Sequence, residues 1–118
     1  MTAAMESGCH LLFDATSKRI LNKTDLEAFL TECPRLIGLT IFSGPHIYAT
    51  ESGWAGIVLV AESHISVHTS VLEVFGDCFS CLPFDSKAVM DMARRMLAFE
   101  SRPKPVSREI KRGWGSRC

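Results

Sequence analysis

The sequence predicts one α+β domain, in which an antiparallel β-sheet has helices packed on one face. Apolar and alternating segments along the 118 residues follow the order β-α-β-β-β-β-α. Short turns separate the strands, as antiparallel neighbours allow. Two amphipathic segments supply the helices. A chain of this length buries only a modest core, so the pairing of two copies would stabilise it.

The first part of the chain is expected to form a strand, a helix and a second strand. Residues 9–15 supply the first strand. A capping box predicts the start of the helix, because the Thr24 hydroxyl can accept from a backbone amide while Glu27 reaches back. Pro34 limits this helix, and residues 36–42 are expected to form the next strand.

Turn residues divide the middle of the chain into further strands. The tripeptides at 43–45 and 51–53 contain the glycine, proline and serine typical of turns. Extended segments are expected at 46–50, 54–62, 65–69 and 71–81. The last of these is expected to break near Gly76, because glycine interrupts strands.

A second helix is predicted after residue 85. Asp85 can cap it, and Phe84 and Val89 can form a hydrophobic staple. Pro103 and Pro105 end it. The whole of residues 1–118 is predicted to be a single domain. Its end at 101–118, with six basic residues and one acidic residue, is expected to be a flexible tail.

Charge and composition exclude several classes of function. Thirteen basic and thirteen acidic residues cancel, which argues against a nucleic-acid or lipid-headgroup partner. No segment reaches the roughly 18 to 20 apolar residues that span a bilayer, and no signal peptide is visible. Five cysteines without a regular spacing favour free thiols in a reducing, cytoplasmic location.

Costly polar residues follow the apolar strand that ends at Val60. Glu62, Ser63, His64 and His68 place an acid, a hydroxyl and two imidazoles there. Buried polar groups of this kind are either hydrogen-bonded or take part in catalysis or binding. A serine nucleophile needs a base or strain. Strand alternation would place Ser63 and His68 on opposite faces, so they meet only if the chain bends between them.

The pair Cys78 and Cys81 has several interpretations. With His64 and His68 it could bind zinc, but two histidines four residues apart on a strand are about 13 Å apart, so no metal site is expected. A thioredoxin-like redox pair is a second interpretation, since a helix follows. One catalytic thiol that donates a proton is a third. Two small buried side chains with a structural role are the fourth.

From about His10 to Leu97 the chain resembles the S-adenosylmethionine decarboxylase proenzymes of the short bacterial or archaeal type. The resemblance rests on His10-Leu11-Leu12 in the first strand and on the segment 56–69. That segment contains the motif Glu-Ser-His-x-x-x-His-Thr. It continues in the sequence Asp-Cys-Phe-Ser-Cys at 77–81.

The resemblance implies that this chain cuts itself between Glu62 and Ser63. Ser63 would attack the Glu62 carbonyl, and His68 would act as a base in the elimination that follows. The products would be a β-chain of residues 1–62 and an α-chain of residues 63–118. The α-chain would begin with a covalent pyruvoyl cofactor made from Ser63.

The resemblance also implies the activity. The pyruvoyl group would form a Schiff base with the substrate amine, and Cys81 would return a proton as general acid after carbon dioxide leaves. The expected enzyme is a pyruvoyl-dependent decarboxylase of polyamine and spermidine biosynthesis, acting on S-adenosylmethionine. Arginine and ornithine are alternative substrates. A homodimer of cleaved protomers is expected.

Departures from the family pattern leave a different class of function open. The family carries a serine where this chain has Ala55, and that serine is thought to help processing. Glu73 is the candidate for the acid that binds the ribose. Trp54 is the candidate for the aromatic that stacks on adenine. Because of Ala55, a non-cleaving, inactive relative that acts as a partner subunit is the alternative.

Overall fold

A six-stranded antiparallel sheet and two helices make up the computed structural model, which describes residues 7–113. The strands are β1 (Ser7–Thr16), β2 (Ser43–Ala49), β3 (Trp54–Val60), β4 (Ser63–Ser70), β5 (Glu73–Ser80) and β6 (Val106–Gly113). The helices are α1 (Lys23–Leu36) and α2 (Ser86–Met96). The strand order is β2-β3-β4-β5-β1-β6, with every neighbour antiparallel. The predicted fold class is therefore confirmed.

The two faces of the sheet differ. The helices cover one face, which we call the helix face. Leu26, Phe29 and Leu30 of α1 are fully buried in the core there, as are Val89 and Ala93 of α2. Along β4 and β5 burial alternates from one residue to the next, which separates this face from an open face without helices.

The N-cap of the first helix lies two residues before the predicted cap at Thr24. Asn22 is the N-cap, and its side chain accepts from the Asp25 amide at 3.0 Å. The Asp25 carboxylate accepts in return from the Asn22 amide at 2.8 Å. Asp25 also holds Arg19 through two hydrogen bonds of 2.7 and 2.9 Å. The capping box is thus built by Asn22 and Asp25 rather than by Thr24 and Glu27.

The segment 36–42 is not a strand, contrary to the prediction. Pro34 lies inside α1, and the helix continues to Leu36. The residues that follow connect α1 to β2. The predicted turn at 43–45 instead forms the start of β2, where the pairing with β3 shifts register between Ser43 and His46.

The two extended segments predicted at 54–62 and 65–69 form the strands of one hairpin. Val60 of β3 pairs with Ser63 of β4, which leaves Ala61 and Glu62 as a two-residue turn. The predicted break near Gly76 is absent, because β5 runs unbroken. Gly76 lies opposite Phe13 of β1, and the Phe13 ring fills the space that a Cβ would need.

The predicted flexible tail at 101–118 contains a strand. Residues 106–113 form β6, which pairs with β1 from Ser7↔Gly113 to Asp14↔Val106. Every β6 side chain is exposed, so the sequence of this segment has no apolar pattern that would indicate a strand. The strand forms through its backbone ladder with β1. Residues 114–118 of the expected tail lie outside the described residues.

The cysteines divide into two groups. Cys33, Cys78 and Cys81 carry free thiols, as expected. Cys9 is disulfide-bonded, so the expectation of free thiols is wrong at this position. Between residues 7 and 113, no helix has the length and apolar character to cross a membrane.

Gly76→Ala is expected to destabilise the fold by about 1 to 3 kcal/mol, because the new methyl group overlaps the Phe13 ring. Urea unfolding measures this change. Gly38→Ala is the matched control, since a Cβ there meets no atom within 4 Å. The alanine would be strained only by the backbone φ of +74°, which glycine adopts freely. Equal losses for both variants would contradict the packing argument.

Candidate active site

The motif residues Glu62 and Ser63 lie at the tip of the β3–β4 hairpin. Ala61 and Glu62 form the turn, and Ser63 is the first residue of β4. Ala61 has a φ of 49°, a left-handed conformation that costs a non-glycine residue roughly 1 kcal/mol. The peptide bond between Glu62 and Ser63 therefore lies in an exposed turn, one residue after the strained Ala61.

The end of β5 brings Cys81 to this tip. His64 pairs with Phe79 in the β4–β5 ladder, which leaves Cys81 beside Ser63. The Cys81 amide donates to Ser63 Oγ at 3.2 Å. The Cys81 thiol donates to the Glu62 carbonyl oxygen at 3.6 Å, a long contact of the kind that sulfur makes. The structure thus brings together Glu62, Ser63 and Cys81.

His68 does not join them within one chain. Ser63, Ile65 and Val67 alternate with residues 64, 66 and 68, and Ile65 and Val67 are buried on the helix face. The pairing of β4 with both neighbours continues without a bulge, so the bend that would be needed is absent. His68 lies on the open face, about 17 Å along the strand from Ser63.

Trp54 and Glu73 lie at the far end of the sheet. Trp54 begins β3 and packs against the core, with its amide donating to Thr69 Oγ1 at 2.9 Å. Glu73 begins β5 and is exposed. Both strands run about 20 Å from these residues to the hairpin tip. Within one chain, neither residue can contact a group built on Ser63, so their substrate-binding roles stay predictions.

Cys78 fits the structural interpretation. Its side chain is fully buried in the core, and burial raises the pKa of its thiol far above the ordinary value. His64 and His68 project from the open face, whereas Cys78 lies on the helix face. A zinc site built from these residues is therefore not formed.

An unpredicted polar network crosses the open face beside the tip. Its centre is Asp77, which accepts from His10 Nε2 at 2.6 Å, from His64 Nε2 at 2.8 Å and from the Ser66 hydroxyl. Burial would raise the pKa of Asp77, but these hydrogen bonds outweigh it and hold the pKa at about 2. The hydrogen bond that His64 donates to Asp77 raises the pKa of His64 above its ordinary value, against the effect of burial.

Arg112 of β6 extends the network. Its guanidinium lies 2.8 Å from His10 Nδ1. Because a guanidinium only donates, Nδ1 must accept, and the His10 proton lies on Nε2, facing Asp77. Arg112 also lies 6.0 Å from the centre of the Phe79 ring.

The network does not fit a metal ion, although His10, His64 and Asp77 have their ligand atoms within 4.8 Å of one another. A metal-bound histidine normally donates its second N–H to an acceptor. At His10 that position faces Arg112, which has only donors and a positive charge. Hydrogen bonds join His10, His64 and Asp77 in one network, which fits them better than a metal ion would.

Two cavities with different linings flank Ser63. One, of about 270 Å³, is mainly apolar and contains Cys81; its lining residues are Leu39, Val60, Ala61, Glu62, Ser63, Ser80, Cys81 and Leu82. The other, of about 530 Å³, lies on the open face and is lined by His10, Leu59, Ala61, Glu62, Ser63, His64, Phe79, Arg112 and Gly113. We call them the thiol cavity and the open-face cavity.

Asp77→Asn is expected to lower the pKa of His64, because the carboxylate that favours the imidazolium is lost. The lowered pKa of Asp77 means that its contribution to stability is present above about pH 4 and is lost as pH falls towards 2. The raised pKa of His64 adds stability at low pH that is lost as pH rises through that pKa.

These changes can be measured by NMR titration of His64 and by urea unfolding between pH 2 and 7, with Ser63→Ala in both chains to prevent cleavage. The acid-dependent loss should be smaller in the Asp77→Asn chain. An unchanged pKa for His64 would contradict the network.

Comparisons with known proteins identify the family and agree with the fold. The family model described as S-adenosylmethionine decarboxylase matches residues 10–113. The crystal structure of the adenosylmethionine decarboxylase from Aquifex aeolicus VF5 is similar, with a TM-score of 0.76 and 27% identity, over 94% of each chain. No curated protein sequence matches significantly. The chain therefore belongs to the S-adenosylmethionine decarboxylase family.

Proposed function

We propose that this chain is an S-adenosylmethionine decarboxylase that makes its own pyruvoyl cofactor by cleavage between Glu62 and Ser63. Family membership implies a decarboxylase. The observation that carries the finer proposal is the contact of Cys81 with both residues of the bond to be cut. The similar structure from Aquifex aeolicus is that of an adenosylmethionine decarboxylase, which supports this substrate. The proposed setting is polyamine biosynthesis in the cytoplasm.

The cleavage would begin with attack of Ser63 Oγ on the Glu62 carbonyl carbon. The C–N bond breaks and a C–O bond forms, so the peptide becomes an ester. Loss of the Ser63 α-proton then expels the Glu62 carboxylate, and water replaces the amine of residue 63, releasing ammonia. The Cys81 thiol points at the oxygen on which negative charge develops during the attack.

The site has room for the cofactor. A pyruvoyl group supplies an electron sink for the carbanion left when carbon dioxide departs. Ser63 lies between two cavities, so a substrate could approach residue 63 from either side. The thiol cavity suits the carboxylate that is lost, because an apolar environment disfavours the anion relative to neutral carbon dioxide. Cys81 lies in that cavity, where it can return a proton.

A base at His68 would have to act on another copy of the chain. Within one chain His68 and Ser63 lie on opposite faces of β4. The open face also exposes apolar side chains, at Tyr48, Phe75 and Ile110 among others. Exposed apolar residues on one face favour association. A homodimer that pairs open faces would cover them and carry His68 towards the partner's hairpin tip.

The acidic residues do not distinguish S-adenosylmethionine, which its sulfonium and ammonium also make a cation, from arginine or ornithine, so the family match alone supports that choice. A cationic amino acid would need an acidic pocket, for which Glu51, Glu73 and Asp77 are the candidates. Glu51 and Glu73 lie at the far end of the sheet, and three hydrogen bonds already satisfy Asp77. Near Ser63, the open-face cavity contains Arg112.

A non-cleaving relative is the second candidate function, and Ala55 is the observation that favours it. Ala55 lies directly opposite His68 in the β3–β4 ladder, so the hydroxyl that the family carries there would lie beside the imidazole. Without that hydroxyl, cleavage depends on the remaining groups. If the wild-type chain stays uncut and Ala55→Ser is cut, this second function is favoured.

Intact mass of the purified chain tests the proposal. We expect two fragments, residues 1–62 and residues 63–118, with pyruvoyl in place of the amine of residue 63. Ser63→Ala should stay whole, because the nucleophile is missing. A wild-type chain that remains uncut after long incubation would contradict the proposed function.

Replacements of Cys81 separate its two proposed roles. The first is donation to the Glu62 carbonyl oxygen during cleavage, and the second is return of a proton after decarboxylation. Cys81→Ala removes the donor to the Glu62 carbonyl and should slow cleavage about 100-fold. Cys81→Ser keeps a donor, so it should be cut faster than the alanine variant yet decarboxylate poorly, since a hydroxyl is a weaker acid than a thiol. Cleavage rates after pulsed cell-free synthesis and carbon dioxide release measure the two steps. Equal cleavage of all three chains would exclude the first role.

A further inference from the structure

The open-face cavity has a chemistry that the proposed decarboxylation leaves unused. Arg112 contributes a permanent cation to its lining, and His64 contributes an imidazole whose pKa is raised. Among the described residues, Glu62 is the only acidic residue in the lining. Such a lining suits a carboxylate that remains ionised.

Arg112 and His64 are held in place by contacts on the open face. Arg112 donates to His10 at 2.8 Å and lies over the Phe79 ring. His64 is bonded to Asp77 at 2.8 Å and stacks on Phe79 with ring centres 5.9 Å apart. A guanidinium has five N–H donors, so Arg112 keeps donors for a ligand beyond the one directed at His10.

The carboxylate of a substrate is a poor occupant of this cavity. The Arg112 cation, together with the His64 imidazole, would stabilise the ionised carboxylate and so oppose its loss as carbon dioxide. The thiol cavity, on the other side of Ser63, is the apolar alternative. A carboxylate that persists throughout the reaction is the better match.

The proposed cleavage creates such a carboxylate in the same place. Breaking the bond after Glu62 leaves residue 62 as the C-terminus of the β-chain, with a new α-carboxylate. Glu62 already lines the open-face cavity together with Arg112 and His64. A two-residue turn that has been cut can move its free end towards either cavity.

We propose that the open-face cavity is a carboxylate site, with Arg112 and His64 as its donors, that receives the new C-terminal carboxylate of Glu62 after cleavage. This inference rests on the proposed function. Occupation of the site would draw the cut end away from the thiol cavity, and so open residue 63 to substrate. It would also join the end of β3 to β6 and compensate for the lost turn.

The test compares the melting temperatures of cut and uncut chains. Arg112→Gln should lower the melting temperature of the cut protein about 3 °C more than that of the uncut Ser63→Ala chain, in which Glu62 has its side-chain carboxylate but no α-carboxylate. Arg112→Lys should restore part of the difference. Arg108→Gln is the matched control, because it removes the same charge from the same strand and face but lies outside this cavity.

A second readout follows the carboxylate itself. With glutamate labelled at its backbone carbonyl carbon, NMR follows the titration of the Glu62 α-carboxylate. An ordinary C-terminus has a pKa near 3.5, and we expect the pKa here to lie about one unit lower. Arg112→Gln should reverse this shift. A cut chain with an ordinary titration and no melting difference overturns the inference alone. A raised KM as the sole effect of Arg112→Gln would assign the site to the substrate's carboxylate and also overturn it. An uncut wild-type chain overturns the proposed function, and this inference with it.

Discussion

The unbroken alternation of side chains along β4 is the constraint on which the rest of the site depends. Because β4 pairs with β3 and β5 without a bulge, Ser63 and His68 project from opposite faces of the sheet. The same register brings Cys81 to the hairpin tip and aligns His64 with Phe79. One ladder therefore assembles the thiol side of the site and removes the second imidazole from it.

The hairpin tip lies between two environments of opposite character. Towards Cys81 the surroundings are mainly apolar, which suits the loss of a carboxylate and the return of a proton. Towards Arg112 and His64 they are polar and contain the Arg112 cation, and hydrogen bonds to Asp77 organise them. Loss of a carboxylate and binding of a carboxylate need different surroundings, and the two cavities beside the hairpin tip provide them within a few residues.

Local motifs made some features predictable from the sequence. Glu62, Ser63 and Cys81 come into contact because strand pairing over a short range fixes each of them, while their roles stay predictions. The strand β6 could not be predicted, since all its side chains are exposed and show no apolar alternation, and its pairing with the backbone of β1 is not visible in the sequence. Without β6, Arg112 cannot be placed beside His10. The network around Asp77 could be found only by aligning the polar positions of β1, β4 and β5, which requires the register.

Co-expression of Ser63→Ala and His68→Ala chains tests most directly whether the site is divided between two copies. The first variant lacks the nucleophile and the second lacks the base, so neither should be cut alone. The account predicts that in mixed dimers the His68→Ala chain is cut, because its Ser63 meets His68 of the other copy. Cleavage of wild type without any cleavage in the mixture would contradict the account, as would cleavage of the His68→Ala chain alone.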